Sequence, residues 1–301
     1  MIGGPHPSCE LPDRLFTEFP DLDYAFAGEA DLGFVPFLKR IEAGGADMSD
    51  IPGLVWKDTD GVVHPNPKAW ATDLDSLGLP AWDLINPRRY KWAHSFMTSK
   101  FPAVPMAMTR GCPYSCTFCG SHLISGKTVR KRSVDNILEE IKLLKRDFGV
   151  RTIDIADENF SFDRNFVAEF CERLLSENVA IEWNCPYGVR LDSLDEEIVR
   201  LMARAGCFGL SVGVESGSQR ILDSVKKHLK VEDIVEKVRM IKRVSRIKLQ
   251  GYFMMGFPDE TREEIEATIQ LARSLPLDLV VFSPLRVTPG TQMYGELLSA
   301  G

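Results

Sequence analysis

Three cysteines, Cys112, Cys116 and Cys119, stand at i, i+4 and i+7 in the run Arg110-Gly111-Cys112-Pro113-Tyr114-Ser115-Cys116-Thr117-Phe118-Cys119-Gly120. Three thiolates in one short loop can hold three irons of a cuboidal 4Fe–4S cluster, which leaves the fourth iron without a protein ligand. An open iron on an electron-transfer cluster is a place to bind and reduce something. The plainer alternative, a structural zinc site, takes four ligands, usually as two C-x2-C pairs or as Cys with His. No fourth partner stands at that spacing here, and His122 follows Cys119 too closely to form the second pair. Nor can three cysteines pair off among themselves as disulfides.

The remaining thiols, Cys9, Cys171, Cys185 and Cys207, lie in apolar contexts and read as small buried hydrophobes. Seven cysteines, an odd number with no signal-peptide pattern, point to a reducing cytoplasm. No apolar run approaches the ~18 residues of a membrane span. The formal charge of −7 gives no general affinity for nucleic acid. The one basic cluster, Lys127 with Arg130, Lys131 and Arg132, reads as a solvated edge or one facing a substrate phosphate.

The elements that must position the cysteine loop alternate regularly. An apolar strand over Val104–Thr109 enters it. A helix capped by Ser133 follows to about Phe148, with Ile137, Ile141 and Leu144 on one face and Gly149 as its stop. Strands are then expected over Thr152–Ala156, Ile181–Cys185, Phe208–Glu215, Lys248–Met255 and Leu279–Pro284. Helices fall between them over Arg164–Glu177, from Asp195 to Gly206, over Gln219–Lys226 and Glu232–Ser245, and over Glu260–Leu275. Six strands alternating with helices demand right-handed parallel crossovers, hence an α/β barrel or open sheet. Upstream, Asp23–Gly28 reads as a strand, Phe34–Glu42 as a helix and Lys57–Val63 as a hairpin through Asp60-Gly61. A Pro-rich stretch from Asp73 to about 103 reads as a linker.

The C-x3-C-x2-C spacing, with Phe118 directly before the last cysteine, resembles the radical S-adenosylmethionine (SAM) superfamily. That resemblance implies a partial (β/α)6 barrel over 104–301, a 4Fe–4S cluster on the three cysteines, and SAM chelated at the open iron through its amino and carboxylate groups. One electron from the cluster, delivered by a flavodoxin- or ferredoxin-type donor, would cleave SAM to a 5′-deoxyadenosyl radical.

The same resemblance implies the SAM contacts. Phe118 lies in the loop; Asp157, Glu158 and Asn159 follow strand two; Arg190 follows strand three. Glu215 and Ser216 close the Gly213-Val214-Glu215-Ser216-Gly217 segment, and Gly256 and Phe257 open Gly256-Phe257-Pro258. The plainer alternative for Asp157 is a helix-capping turn, and for Arg190 a surface salt bridge. The turn Pro289-Gly290-Thr291 is similar to one in cobalamin-type and methylthiotransferase-type members.

Residues 1–72 resemble the end of the Rossmann-like cobalamin-binding domain of one radical SAM subgroup, in Gly3-Gly4-Pro5-His6 and Gly28-Glu29. The resemblance implies that Gly3 and Gly4 lie near the cobalamin nucleotide tail, and that the chain is a truncated form of a longer sequence. His6 is read as local structure, because the subgroup's cobalt-ligand motif lies upstream. The implied activity is C–H functionalisation of an unknown small molecule, by cobalamin-dependent methylation or by cyclisation. A methylthiotransferase acting on tRNA or protein, and a non-catalytic iron–sulfur fragment, are the alternatives.

Overall fold

The computed structural model describes residues 1–90 and 100–300. The expected linker therefore lies partly outside the described residues. Along the chain run α1 (Pro5–Cys9), α2 (Pro12–Glu18), β1 (Tyr24–Phe26), α3 (Phe34–Glu42), β2 (Leu54–Lys57), β3 (Val63–Pro65), β4 (Ala103–Met106), β5 (Thr109–Arg110), α4 (Ser121–Ser125) and β6 (Arg130–Lys131). There follow α5 (Val134–Phe148), β7 (Thr152–Ile155), α6 (Arg164–Ser176), β8 (Glu182–Val189), α7 (Glu196–Arg204), β9 (Cys207–Glu215) and α8 (Gln219–Ser224). The chain closes with α9 (Val231–Val244), β10 (Lys248–Met255), α10 (Arg262–Ser274), β11 (Leu279–Pro284) and α11 (Gln292–Ala300).

Two compact units result: one of residues 1–77, 111–130 and 286–301, the other of residues 78–110 and 131–285. The second holds the six-stranded sheet, in the order β11-β10-β9-β8-β7-β4, with every neighbouring pair parallel. Parallel neighbours need crossovers, and the helices between the strands supply them. Those helices end where local chemistry ends them. Ser133 accepts from the Asn136 amide at 3.1 Å, and Gly149 closes α5 at φ 67°. Asp195 caps α7 through the Ile198 amide at 2.8 Å. Thr261 and Glu264 form a reciprocal capping box on α10, so this helix starts at Arg262 and not at the expected Glu260. Between sheet and helices, Trp183 meets Phe160 and Phe170 edge-on, with ring centroids 5.7 and 5.6 Å away.

The strand expected over Val104–Thr109 is interrupted. It runs over Ala103–Met106 and resumes at Thr109. The amides of Met108 and Thr109 are diverted to the Asp157 carboxylate, which takes them out of the ladder.

The first unit carries a small sheet in which β2 pairs antiparallel with both β1 and β3. The expected hairpin turns at Asp58, whose carboxylate accepts from the amides of Asp60 and Val62, each at 2.9 Å. Phe26, Phe37, Met48, Ile51, Leu54 and Trp56 form its core.

Candidate cluster and cofactor site

The cysteine loop belongs to the first unit. Its entry needs glycine: Gly111 has φ 95°, and a Cβ there would overlap the Thr128 carbonyl. The Cys112 amide donates to the Gly126 carbonyl at 3.2 Å, and the Cys119 amide to the Cys116 carbonyl at 3.1 Å. The Met293 amide holds the Thr117 carbonyl at 3.0 Å. No disulfide joins any of the seven cysteines, and only Cys112, Cys116 and Cys119 are partly exposed; the other four are buried. Burial pushes the Cys171 thiol up to about 12 and the Cys185 and Cys207 thiols well above their ordinary value. Cys9 is raised for the same reason. Those four are held as neutral thiols, which are not metal ligands. The donor set that fits an iron–sulfur cluster is the triad.

Directly after Cys119 comes α4, a helix of five residues. A helix this short does not stand alone, and its last carbonyls have no partner within it. Each of the final three is met by a side chain. Lys68 Nζ donates to Leu123 O at 2.8 Å, Trp70 Nε1 to Ile124 O at 3.3 Å, and Arg130 Nη2 to Ser125 O at 2.6 Å. Lys68 also donates to Ser8 O at 2.8 Å, and its burial lowers the ammonium's pKa. Arg130 is held bidentately by Glu29 at 2.7 and 2.8 Å, with both side chains below a tenth exposed. Of the basic cluster read as a solvated edge, Lys127 and Lys131 are exposed, while Arg130 and Arg132 are buried and correct that reading. Arg130 is spent on Glu29, and the buried Arg132 pairs with Glu140 at 2.5 Å.

The expected cobalamin residues, Gly3 and Gly4, have nothing within 4 Å of a Cβ built on either. Gly4, at φ 95°, precedes α1, and its carbonyl accepts the Ser8 hydroxyl at 2.7 Å.

In the second unit the strand ends carry the other candidates. Asp157, 2% exposed, does not present its carboxylate to a ligand. It accepts from the Met108 amide at 2.8 Å and from the Thr109 amide and hydroxyl, each at 2.9 Å. Desolvation nonetheless pushes its pKa up to about 7, the hydrogen bonds pulling the other way. Two residues on, Asn159 is equally buried, and its Nδ2 finds no partner among the described residues. An unmatched buried donor costs free energy unless a ligand meets it. Glu158 is partly exposed.

Arg190 lies at the end of β8, buried, with its guanidinium on Asp192 at 2.9 Å and on the Lys227 carbonyl at 3.0 Å. The arginine is buried but its partner is 40% exposed, so the ion pair stands at the surface with its guanidinium tucked under the chain. Glu215 ends β9 at φ 66°, a left-handed conformation that non-glycine residues seldom adopt. Its carboxylate pairs with Lys227 Nζ at 2.6 Å, each side chain about a tenth exposed. A Cβ on Gly213 would stand 2.5 Å from that carboxylate and 2.8 Å from Lys227 Nζ. Lys226 and His228, which flank the lysine, both have φ 54°. Strain gathered around one ion pair is a mark of a functional site.

Ser216 is fully buried. Its hydroxyl lies 3.2 Å from that of Thr268 and accepts the Ser218 amide at 3.1 Å, so it braces the turn from behind. Gly256 has φ 88° and open space at its Cβ position. Its amide, with that of Phe257, goes to Glu260 Oε2 at 2.6 and 3.2 Å. Phe257 is 4% exposed and packs inward.

Sequence reasoning missed Lys227, Glu29, Lys68 and Trp70. Glu29 had a signal in its Gly-Glu pair; the others are single polar residues with no local pattern.

The family model of the radical SAM superfamily matches residues 106–272, and the chain belongs to that superfamily. Among curated relatives, an uncharacterized methyltransferase of Pyrococcus horikoshii is 30% identical over 98% of this chain and 62% of its own length. The cytidylyl-2-hydroxyethylphosphonate methyltransferase of Streptomyces wedmorensis is 26% identical over 100% of this chain and 61% of its own length. An anaerobic magnesium-protoporphyrin IX monomethyl ester cyclase of Cereibacter sphaeroides is 28% identical over 99% and 48%. The chain thus spans less than two thirds of the length of these relatives. Among solved structures, the radical SAM methyltransferase TsrM of Kitasatospora setae, with cobalamin and a 4Fe–4S cluster bound, shares the fold at TM-score 0.78. It is 19% identical, with 99% of this chain and 57% of that one aligned. The barrel-type fold expected from strand count is therefore established. No helix among the described residues is long and apolar enough to cross a membrane.

Proposed function

We propose that the chain is the core of a radical SAM enzyme that functionalises an unactivated C–H bond of a small molecule, with cobalamin-dependent methyl transfer as the outcome. When bound, the cluster and SAM supply one-electron reductive cleavage of the sulfonium to a 5′-deoxyadenosyl radical. Cys112, Cys116 and Cys119 hold the cluster. Phe118, Glu158, Asn159, Arg190, Glu215 and Gly256 face SAM, while Asp157, Ser216 and Phe257 brace the backbone that carries them. The orphaned Asn159 donor and the strained, lysine-clamped Glu215 carboxylate support that division.

Residues 1–72 belong to a cobalamin-binding module, with Gly3 and Gly4 open to the cofactor tail, 73–103 link it, and 104–301 form the barrel. The electron donor is a flavodoxin or ferredoxin type, and seven cysteines without a disulfide suit a reducing cytoplasm. Two methyltransferase relatives and a cyclase each match nearly all of this chain. Methyl transfer is preferred because the methyltransferase of Pyrococcus horikoshii has the highest identity of the three, 30% against 28% for the cyclase. A putative methylthiotransferase of Methanocaldococcus jannaschii matches 83% of it at 28% identity.

The single observation that carries the proposal is the partly exposed C-x3-C-x2-C triad in a chain whose other thiols are buried. The test is anaerobic reconstitution with iron and sulfide, dithionite reduction, and addition of SAM. EPR of the cluster and 5′-deoxyadenosine are followed together. A SAM-perturbed 4Fe–4S signal with deoxyadenosine release is expected; a cluster blind to SAM overturns the reading.

A further inference from the structure

The radical SAM match begins at residue 106, yet the carbonyls that end α4 are met largely from far upstream. Lys68 is 55 residues from Leu123, and Trp70 is 54 from Ile124. The third donor, Arg130, is fixed by Glu29, 101 residues away. We infer that Glu29, Lys68 and Trp70 are positioning residues of the cluster loop, so that residues 1–77 support the cluster-binding loop as well as belonging to the proposed cobalamin-binding module. This rests on the proposed cluster function.

The physics is that of an isolated helix end. Three consecutive carbonyls at a C-terminus carry the negative end of the helix dipole, and a cation or N–H donor there stabilises the turn. Two of the three donors are cations, Arg130 buried and Lys68 half-buried, where water screens less than at an exposed surface. Trp70 adds a wall: a Cβ on Gly126 would lie 3.3 Å from its indole. With α4 pinned at its end, the backbone between Cys119 and Gly126 is held by three side-chain hydrogen bonds. Without the pins, Cys119 sits at the head of an unsupported turn.

The experiment uses the full chain and three near-isosteric variants, Glu29→Gln, Lys68→Met and Trp70→Phe. Each is reconstituted anaerobically, and loss of iron to a chelator is timed beside thermal unfolding of the apo-protein. Phe37→Leu, in the first unit's core, serves as the control for general destabilisation. Glu29→Gln and Lys68→Met are expected to lose iron about tenfold faster than wild type, and Trp70→Phe about threefold faster, the range for losing one bond to a charged or a neutral group. Phe37→Leu, despite a lower unfolding temperature, should lose iron at the wild-type rate. Lys68→Arg, which keeps a half-buried cation, should recover most of the loss. Iron loss at the wild-type rate in all three variants overturns the inference, as does a Phe37→Leu rate that tracks theirs. If wild type itself takes up no cluster, the fault lies in the proposed function instead.

Discussion

The cysteine loop and the strand ends are held by opposite means. In the loop, side-chain donors come to backbone carbonyls: Lys68, Trp70 and Arg130 on the end of α4. At the strand ends, carboxylates are the fixed points. Asp157 collects amides, Glu260 collects those of Gly256 and Phe257, and Glu215 is clamped by Lys227. The loop has little apolar support of its own, so its geometry depends on a few polar contacts. The strands stand on a continuous core that includes Ile153, Trp183, Leu210 and Leu249, so a change there alters what the ends present before it unfolds them.

That contrast is broken most completely by the thiols. Replacing Cys112, Cys116 or Cys119 with Ala should abolish cluster loading and SAM cleavage together, with iron content and deoxyadenosine as readouts. One variant that keeps both removes its cysteine from the site. Next in size is Lys227→Met, which leaves the Glu215 carboxylate buried and unpaired. A loss of about 3–5 kcal/mol in urea unfolding is expected, and adding Glu215→Leu should restore much of it. If the double variant is no better than the single one, the pair is not the cause.

Asp157 tests the amide-collecting carboxylates through pH. Its pKa is raised to about 7, so its contribution to stability is present below the ordinary carboxylate range near pH 4. That contribution is lost as pH rises through 7. Wild type should therefore lose stability relative to Asp157→Asn over that window, by an amount on the order of a few kcal/mol. Parallel curves would show that Asp157 does not titrate there. A smaller effect is expected of Glu215→Gln: SAM binding should weaken about tenfold, the worth of one bond to a charged group, while cluster absorbance is unchanged. Unaltered affinity in an equilibrium titration would separate Glu215 from SAM. Smallest is Arg262→Ala, whose i,i+4 pair with Glu266 is exposed at 86% and 54%. Its unfolding midpoint should shift by no more than about 0.5 kcal/mol.

Much of this was legible in the residues because the information is local. Cysteine spacing within eight residues, caps at Ser133 and Asp195, the stop at Gly149 and the apolar strands each depend on neighbours in the chain. The strand of β8 runs to Val189, beyond the expected end at Cys185, because pairing with β9 resumes past an irregularity, at Val189 opposite Val212. That partner is not visible from β8 alone.

By itself, then, the sequence determined the cysteine spacing, the βα alternation and the helix ends, since spacing, periodicity and capping act over a few residues. Tertiary structure alone decided what the polar residues are for. Asp157 looks like a ligand contact in sequence and proves to be an anchor for amides 48 and 49 residues upstream. Arg130 looks like a solvated charge and is buried on Glu29. Lys227 has no motif at all until the fold sets it 2.6 Å from Glu215. A charged side chain can be satisfied by water or by any opposite partner within reach. Only the packed chain, by excluding water, chooses between them.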